Sequence, residues 1–143
     1  MSKYKFSLTP KIKGIVEWQL QHYNDDKRQI EQLKSDMVPS PTVSYSLTGG
    51  VSGGGTSRTT ENVAVRIATN PYIMQTERSC KAIERVLSRC NETDSKLVDL
   101  VYWRQSYTVE GAGMKIGLSK SSAYRHVNDI LTDIALEIGY VNI

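Results

Sequence analysis

Residues 108–138, TVEGAGMKIGLSKSSAYRHVNDILTDIALEI, can fold in few ways, because a glycine and a helix-capping serine stand two residues apart between two helix-forming runs. Thr108 can cap a first helix through its side-chain oxygen, Gly117 sits where a helix must stop in a left-handed conformation, and Ser119 can cap a second helix. The chain then turns sharply across Gly117-Leu118-Ser119. In the second helix Ala123, Val127, Ile130, Ile134 and Ile138 recur at spacings of three and four, so they share one packing face. At roughly 100° per residue, Ser121, Ser122, Arg125 and Asn128 fall opposite that stripe, with Tyr124 at its flank. The pattern is that of a helix-turn-helix.

Charge is focused on the same place. From Gly111 to Asn128 the chain carries Lys115, Lys120 and Arg125 and no acid, whereas Asp129, Asp133 and Glu137 follow. Across residues 91–143 five Lys or Arg stand against seven Asp or Glu, so the segment is acidic while the start of its second helix is basic. Ser119, Lys120, Ser121, Ser122, Tyr124, Arg125 and Asn128 are residue types that donate to phosphates and base edges, which makes double-stranded DNA the first partner to consider. An ordinary helical hairpin with a solvated polar face would show the same apolar spacing. The turn, the caps and the localised charge favour the DNA-reading form.

Composition is compatible with this and excludes several other classes. The chain has 143 residues, 39% of them hydrophobic, which suits one domain, or one small domain plus an extension, with a modest core. A net charge of +3 is only mildly basic. No apolar run approaches the roughly 20 residues needed to span a membrane, and MSKYKFSLTP lacks a signal-peptide core, so no membrane association and a cytoplasmic location are expected. Cys80 and Cys90 would lie about 15 Å apart on one helix and cannot bridge within it, so reduced thiols are expected. His22 and His126 are remote from each other and no metal-ligand spacing occurs, so no metal is expected. No Gly-rich loop ends in Gly-Lys-Ser or Gly-Lys-Thr, and no histidine is placed by a nucleophile in a recognisable motif. The sequence therefore gives no ground for catalytic residues, a cofactor or enzymatic activity.

The remaining residues read as helical arms. Thr9-Pro10 is a helix start, and Val16, Tyr23, Ile30 and Met37 repeat every seven residues, with Ile12, Leu20 and Leu33 near the same stripe. One long helix is predicted over 1–37, packed either against another helix of the chain or against a second copy. Residues 38–59, with Pro39, Pro41 and five glycines between Gly49 and Gly55, are predicted to be a flexible linker. Helix resumes near Thr60 and continues to about Cys90, where Asn70-Pro71 either kinks it or caps a new helix. Arg78, Lys81, Arg85 and Arg89 form a basic stripe on it, which is either a solvated face or a second contact for DNA or a polymerase. From Thr93 or Asp94 a further helix brings Leu97, Val98, Leu100 and Val101 under the motif, with Tyr102 and Trp103 as core or lid aromatics. The expected organisation is thus all-α: arms at 1–37 and 60–90 that pack together and carry any homo-oligomer contact, and a DNA-binding domain at 91–143.

The run LVYWRQSYTVEGAGMKIGLSKSSAYRHVNDIL resembles the helix-turn-helix of region four of bacterial sigma factors. The order of CKAIERVL (residues 80–87), a short acidic break, an apolar-aromatic helix and the helix-turn-helix is similar to the RinA family of phage late-gene transcriptional activators. That resemblance implies a sequence-specific activator that works in the bacterial host cell with the host RNA polymerase on packaging and structural genes, and it implies that Ser119 to Asn128 match the recognition helix. EGAG at residues 110–113 replaces the acidic, branched apolar and alanine positions usual there; Gly113 keeps the small residue that close helix approach needs. Each interior glycine costs about 1 kcal/mol relative to alanine, so packing must hold this helix. Two other functions share these features: a phage small terminase subunit binding DNA for packaging, and a helical adaptor of RNA polymerase without DNA affinity. Spacing alone does not separate an activator from a repressor.

Overall fold

The computed structural model describes residues 8–38 and 54–140, the backbone only at 54–60. Among these residues the chain forms α1 (Pro10–Gln21), α2 (Tyr23–Met37), α3 (Gly54–Thr69), α4 (Pro71–Arg89), α5 (Glu92–Val98), a π-helical turn at Asp99–Trp103, α6 (Val109–Lys115) and α7 (Lys120–Ile138). No strand occurs among the described residues, and the chain is all-α.

Local chemistry explains where the helices begin and end. The Thr9 hydroxyl accepts from the Ile12 N–H at 3.3 Å, with Pro10 at the first helical position. The single helix expected over 1–37 is instead divided at His22, whose backbone leaves helical values at φ −94°, ψ 2°. Its ring stacks on Trp18, with centroids 4.2 Å apart, and Asp25 and Asp26 then fall in the first turn of α2, where the helix dipole favours carboxylates. Of the two readings of Asn70-Pro71, the structure has the cap: the Asn70 side-chain oxygen accepts from the Ile73 N–H at 3.0 Å and begins α4. α3 starts at Gly54, upstream of the expected Thr60, so residues 54–59 of the expected 38–59 linker are helical instead, while residues 39–53 lie outside the described residues. α5 likewise starts earlier than expected, because Asn91 accepts from the Asp94 N–H at 2.9 Å and caps it.

The contacts gather into two units, one of residues 1–24 with 78–143 and one of residues 25–77. In the second, Ile30, Val63 and Ile73 are buried, Lys34 pairs with Glu77, and the Tyr72 hydroxyl donates to Gln29 at 2.9 Å. In the first, α7 is the central helix, packed by α1, α5 and α6. Its buried side chains share one core with Val16 and Leu20 of α1, Ile83 and Val86 of α4, and Leu97, Val98 and Tyr102.

The expected domain boundary at Asn91 differs from this grouping, for a reason of length. α6 has seven residues and spans about 10 Å, whereas α7 has 19 and spans about 28 Å, so α6 covers only part of the apolar stripe. α1 supplies further cover. The Tyr102 hydroxyl, almost fully buried, donates to the Glu17 carboxylate of α1 at 2.9 Å. Burial first, then the Glu17 charge and this hydrogen bond, raise the Tyr102 pKa well above the usual phenol range. Nearby, the Tyr23 hydroxyl donates to Glu84 at 2.7 Å and Gln19 donates to Ser79 at 3.3 Å, tying the first arm to α4 within the same unit. Cys80 is buried and Cys90 half-buried, and no disulfide joins them.

Leu20 is fully buried in this shared core. Leu20→Ala should cost about 2–5 kcal/mol in urea unfolding. A fragment beginning at Asn91, which lacks α1, should lose the sharp transition of the full chain. Cooperative unfolding of that fragment at undiminished stability would show that α1 is dispensable.

Candidate nucleic-acid interface

α6, the turn and α7 are joined by a closed set of local hydrogen bonds. Thr108 accepts from the Gly111 N–H at 3.1 Å and Ser119 from the Ser122 N–H at 3.2 Å, so both expected caps are present. Gly117 has φ +86°, the left-handed value expected for it. The Leu118 N–H then donates to the Gly113 carbonyl at 2.7 Å and the Gly117 N–H to the Met114 carbonyl at 3.3 Å, which completes the glycine-terminated helix end. The two helices meet at Gly113, where an added Cβ would lie 2.5 Å from the Cβ of Ala123. Only glycine fits that contact.

Ala123, Val127, Ile130, Ile134 and Ile138 are all buried, and the face opposite them is open. Lys120, Ser121, Tyr124, Arg125 and Asn128 are exposed on α7, and Ser122 is half-buried at the edge of that group. Their hydroxyls have different occupations. Ser119 is engaged as the cap, and Ser122 accepts from the Arg125 guanidinium at 3.0 Å, holding that side chain toward the start of the helix. The Lys120 ammonium stands 3.8 Å from the Glu110 carboxylate, both side chains being largely exposed. The Asn128 carbonyl accepts from the Thr132 hydroxyl at 2.7 Å, a bond inside the helix that leaves the Asn128 amide on the surface.

Two exposed residues outside the expected set pair with each other on the α6 side of the motif. The Lys115 ammonium lies 5.2 Å from the centre of the Tyr107 ring, in the range of a cation–π contact, and both residues are exposed. The basic run from Gly111 to Asn128 was the signal for Lys115. Tyr107 gave none, since it precedes the capping Thr108 and lies outside the apolar stripe. On the other side, the His126 ring nitrogen is 2.7 Å from the Asp94 carboxylate, which fastens α7 to the first turn of α5.

Arg78, Lys81, Arg85 and Arg89 of the basic stripe are all exposed, as the solvated-face reading expects, and two of them also reach a neighbouring helix. Arg85 and Arg89 both bond the Glu137 carboxylate, at 3.2 and 2.7 Å, and so join α4 to α7. The hydrogen bonds from Arg89 and then Arg85 hold the Glu137 carboxyl below the usual carboxylate range. No group of His, Cys, Asp and Glu among the described residues is arranged to hold a metal ion, and no described helix is long and apolar enough to cross a membrane. No family model, characterised protein or solved structure matches the chain.

The steric argument at Gly113 can be separated from helix propensity by a paired measurement. Alanine improves propensity by about 1 kcal/mol in a helix interior, and at Gly14 of α1 an added Cβ meets nothing within 4 Å. Gly14→Ala should therefore stabilise the chain by about 0.5–1 kcal/mol, while Gly113→Ala should destabilise it by about 1–3 kcal/mol as the helices are forced apart. Equal effects in denaturant titrations would show that the approach is looser.

The Glu137 cluster makes a pH prediction of definite sign. A carboxyl whose pKa is depressed by folding stabilises the chain above its unfolded pKa, and that contribution is lost as pH falls through the folded value. Glu137→Gln should flatten the acid limb of the stability–pH curve. An acid limb identical to that of the parent chain would remove the ion pairs from this role.

Proposed function

We propose that this chain is a sequence-specific DNA-binding protein that activates transcription, with the first half of α7 as its recognition helix. The observation that carries the reading is the exposure of Lys120 and Arg125 in the first two turns of a helix whose opposite face is buried. A helix held in this way can enter a major groove without uncovering its core. Its leading backbone N–H groups and Lys120 suit phosphates, and Arg125 suits the two acceptors of a guanine edge. Ser121, Ser122 and Asn128 add smaller contacts, and Tyr124 packs on the sugar-phosphate edge.

The resemblance to the RinA family supports the rest of the proposal: activation of phage late packaging and structural genes, in company with the RNA polymerase of the bacterial host. Contact between copies of the chain through the arms belongs to the same proposal.

Titration of duplexes at several salt concentrations tests it. Arg125→Ala should cost about 1–3 kcal/mol on the mapped site and little on scrambled DNA, while Lys120→Ala should weaken both and lower the salt slope by about one. Unchanged affinity of Arg125→Ala for the mapped site would remove α7 from this role. Polymerase binding without any duplex affinity would replace the reading with that of an adaptor.

A further inference from the structure

On α1, Lys11, Ile15 and Trp18 stand at i, i+4 and i+7 and share one face, on the side away from the buried Val16 and Leu20. Ile15 is 41% and Trp18 56% exposed. The Trp18 indole is nonetheless held in place, because it stacks on the His22 ring with centroids 4.2 Å apart. An added Cβ at the neighbouring Gly14 would meet nothing within 4 Å, so the face is open. The Gln19 amide donates to the Tyr140 hydroxyl at 2.6 Å and to the Ser79 hydroxyl at 3.3 Å, which brings α4 and the residues after α7 to the edge of this face. Tyr140 is itself 40% exposed.

The rim is cationic. Arg78 and Lys81 are exposed on α4 close to Ser79, and the Arg78 guanidinium lies 3.2 Å from where a Cβ on Gly139 would stand. Unlike Arg85 and Arg89, which share Glu137, the cations Lys11, Arg78 and Lys81 pair with no acid among the described residues. The carboxylates that α1 and α4 contribute to this unit, Glu17 and Glu84, are part-buried and accept from Tyr102 and Tyr23. Unpaired exposed cations around Ile15, Trp18 and Tyr140 favour an anionic partner. A second copy docked here about a two-fold axis would bring these like charges together. The aliphatic Ile15 beside Trp18 finds no counterpart on a phosphate backbone. What fits is a protein segment that joins acidic and apolar residues.

We propose that this face is a docking site for an acidic amphipathic helix of a partner protein. From Lys11 to His22 it runs about 16 Å, or three helical turns, which suits a partner helix with apolar anchors at i, i+3 or i+4, and i+7. Aspartates or glutamates flanking those anchors would meet Lys11, Arg78 and Lys81. A tryptophan already held by stacking loses little side-chain freedom when it is covered. The inference does not depend on the DNA reading, because α7 ends 13 residues, about 20 Å along its axis, beyond Arg125.

The test is an amide chemical-shift titration of the full chain with a synthetic 15-residue peptide bearing leucines at i, i+3, i+7 and i+11 and glutamates on its polar face. A second peptide carries lysines in place of the glutamates, and a third carries serines in place of the leucines. The glutamate peptide should shift amides in residues 11–22, 78–82 and 139–140, and the other two should not bind there. Arg78→Gln with Lys81→Gln should weaken the glutamate peptide about tenfold, as two surface charge pairs would. Trp18→Ala should weaken it by a similar factor through loss of the aromatic anchor. Shifts clustered elsewhere, equal binding of the lysine or serine peptide, or undiminished binding to either variant would each overturn the proposal. A scrambled duplex that shifted the same residues as strongly would overturn it too, by assigning the face to phosphate. The comparison of peptides uses the unaltered chain, so it decides the question even where a variant folds poorly.

Discussion

The architecture of the first unit depends on the approach of Gly113 to Ala123. Without a Cβ at residue 113 the backbone of α6 reaches α7 at its fourth residue, and the bond from Leu118 N–H to the Gly113 carbonyl closes the turn over the same glycine. One residue therefore sets both the crossing point of the helices and the end of the first of them. The consequence is geometric: α6 takes up a single short stretch of the α7 stripe, the exposed residues Lys120 to Asn128 are left clear, and the remaining stripe is available to α1 and α5.

What was legible in the sequence is what local chemistry decides. Thr108, Gly117 and Ser119 each act within a few residues of themselves, through a side-chain cap or a single backbone angle, and all three stand as their residue types require. The buried stripe of α7 follows from its spacing in the same way. The division of the N-terminal helix at His22 was hidden because the sevenfold spacing of Val16, Tyr23 and Ile30 continues across it, and all three are buried. Only the paired aspartates just beyond hinted at a new helix start.

Long-range pairings were not legible. Spacing placed Arg85 and Arg89 on one face of α4, but nothing local shows that Glu137, 52 and 48 residues away, would fill the space between them. The bond from Tyr102 to Glu17 spans 85 residues and explains why the motif shares a core with α1. Within the candidate site the residue types on the exposed face were readable, whereas their pairings were not. Ser122 was readable as a donor at the edge of the polar face, but its bond from Arg125 was not.

Along α7 the cations come first and the carboxylates after, and the separation between them determines how far the two can influence each other. Arg125 and Asp133 are eight residues apart, about 12 Å along the axis, which exceeds the Debye length of about 8 Å at physiological ionic strength. Asp133 is then largely screened from Arg125, whereas Asp129, four residues and about 6 Å from Arg125, lies within that length. Mechanical coupling is restricted as well, because α7 is packed by α1, α5 and α6, and fastened by His126 to Asp94 and by Glu137 to Arg85 and Arg89. Mechanical influence of one end on the other requires movement of the whole helix against that core. The cations and carboxylates of α7 therefore stay coupled through Asp129 at physiological salt, while the coupling of Arg125 to Asp133 grows only as salt is lowered and the screening length comes to span the interval between them.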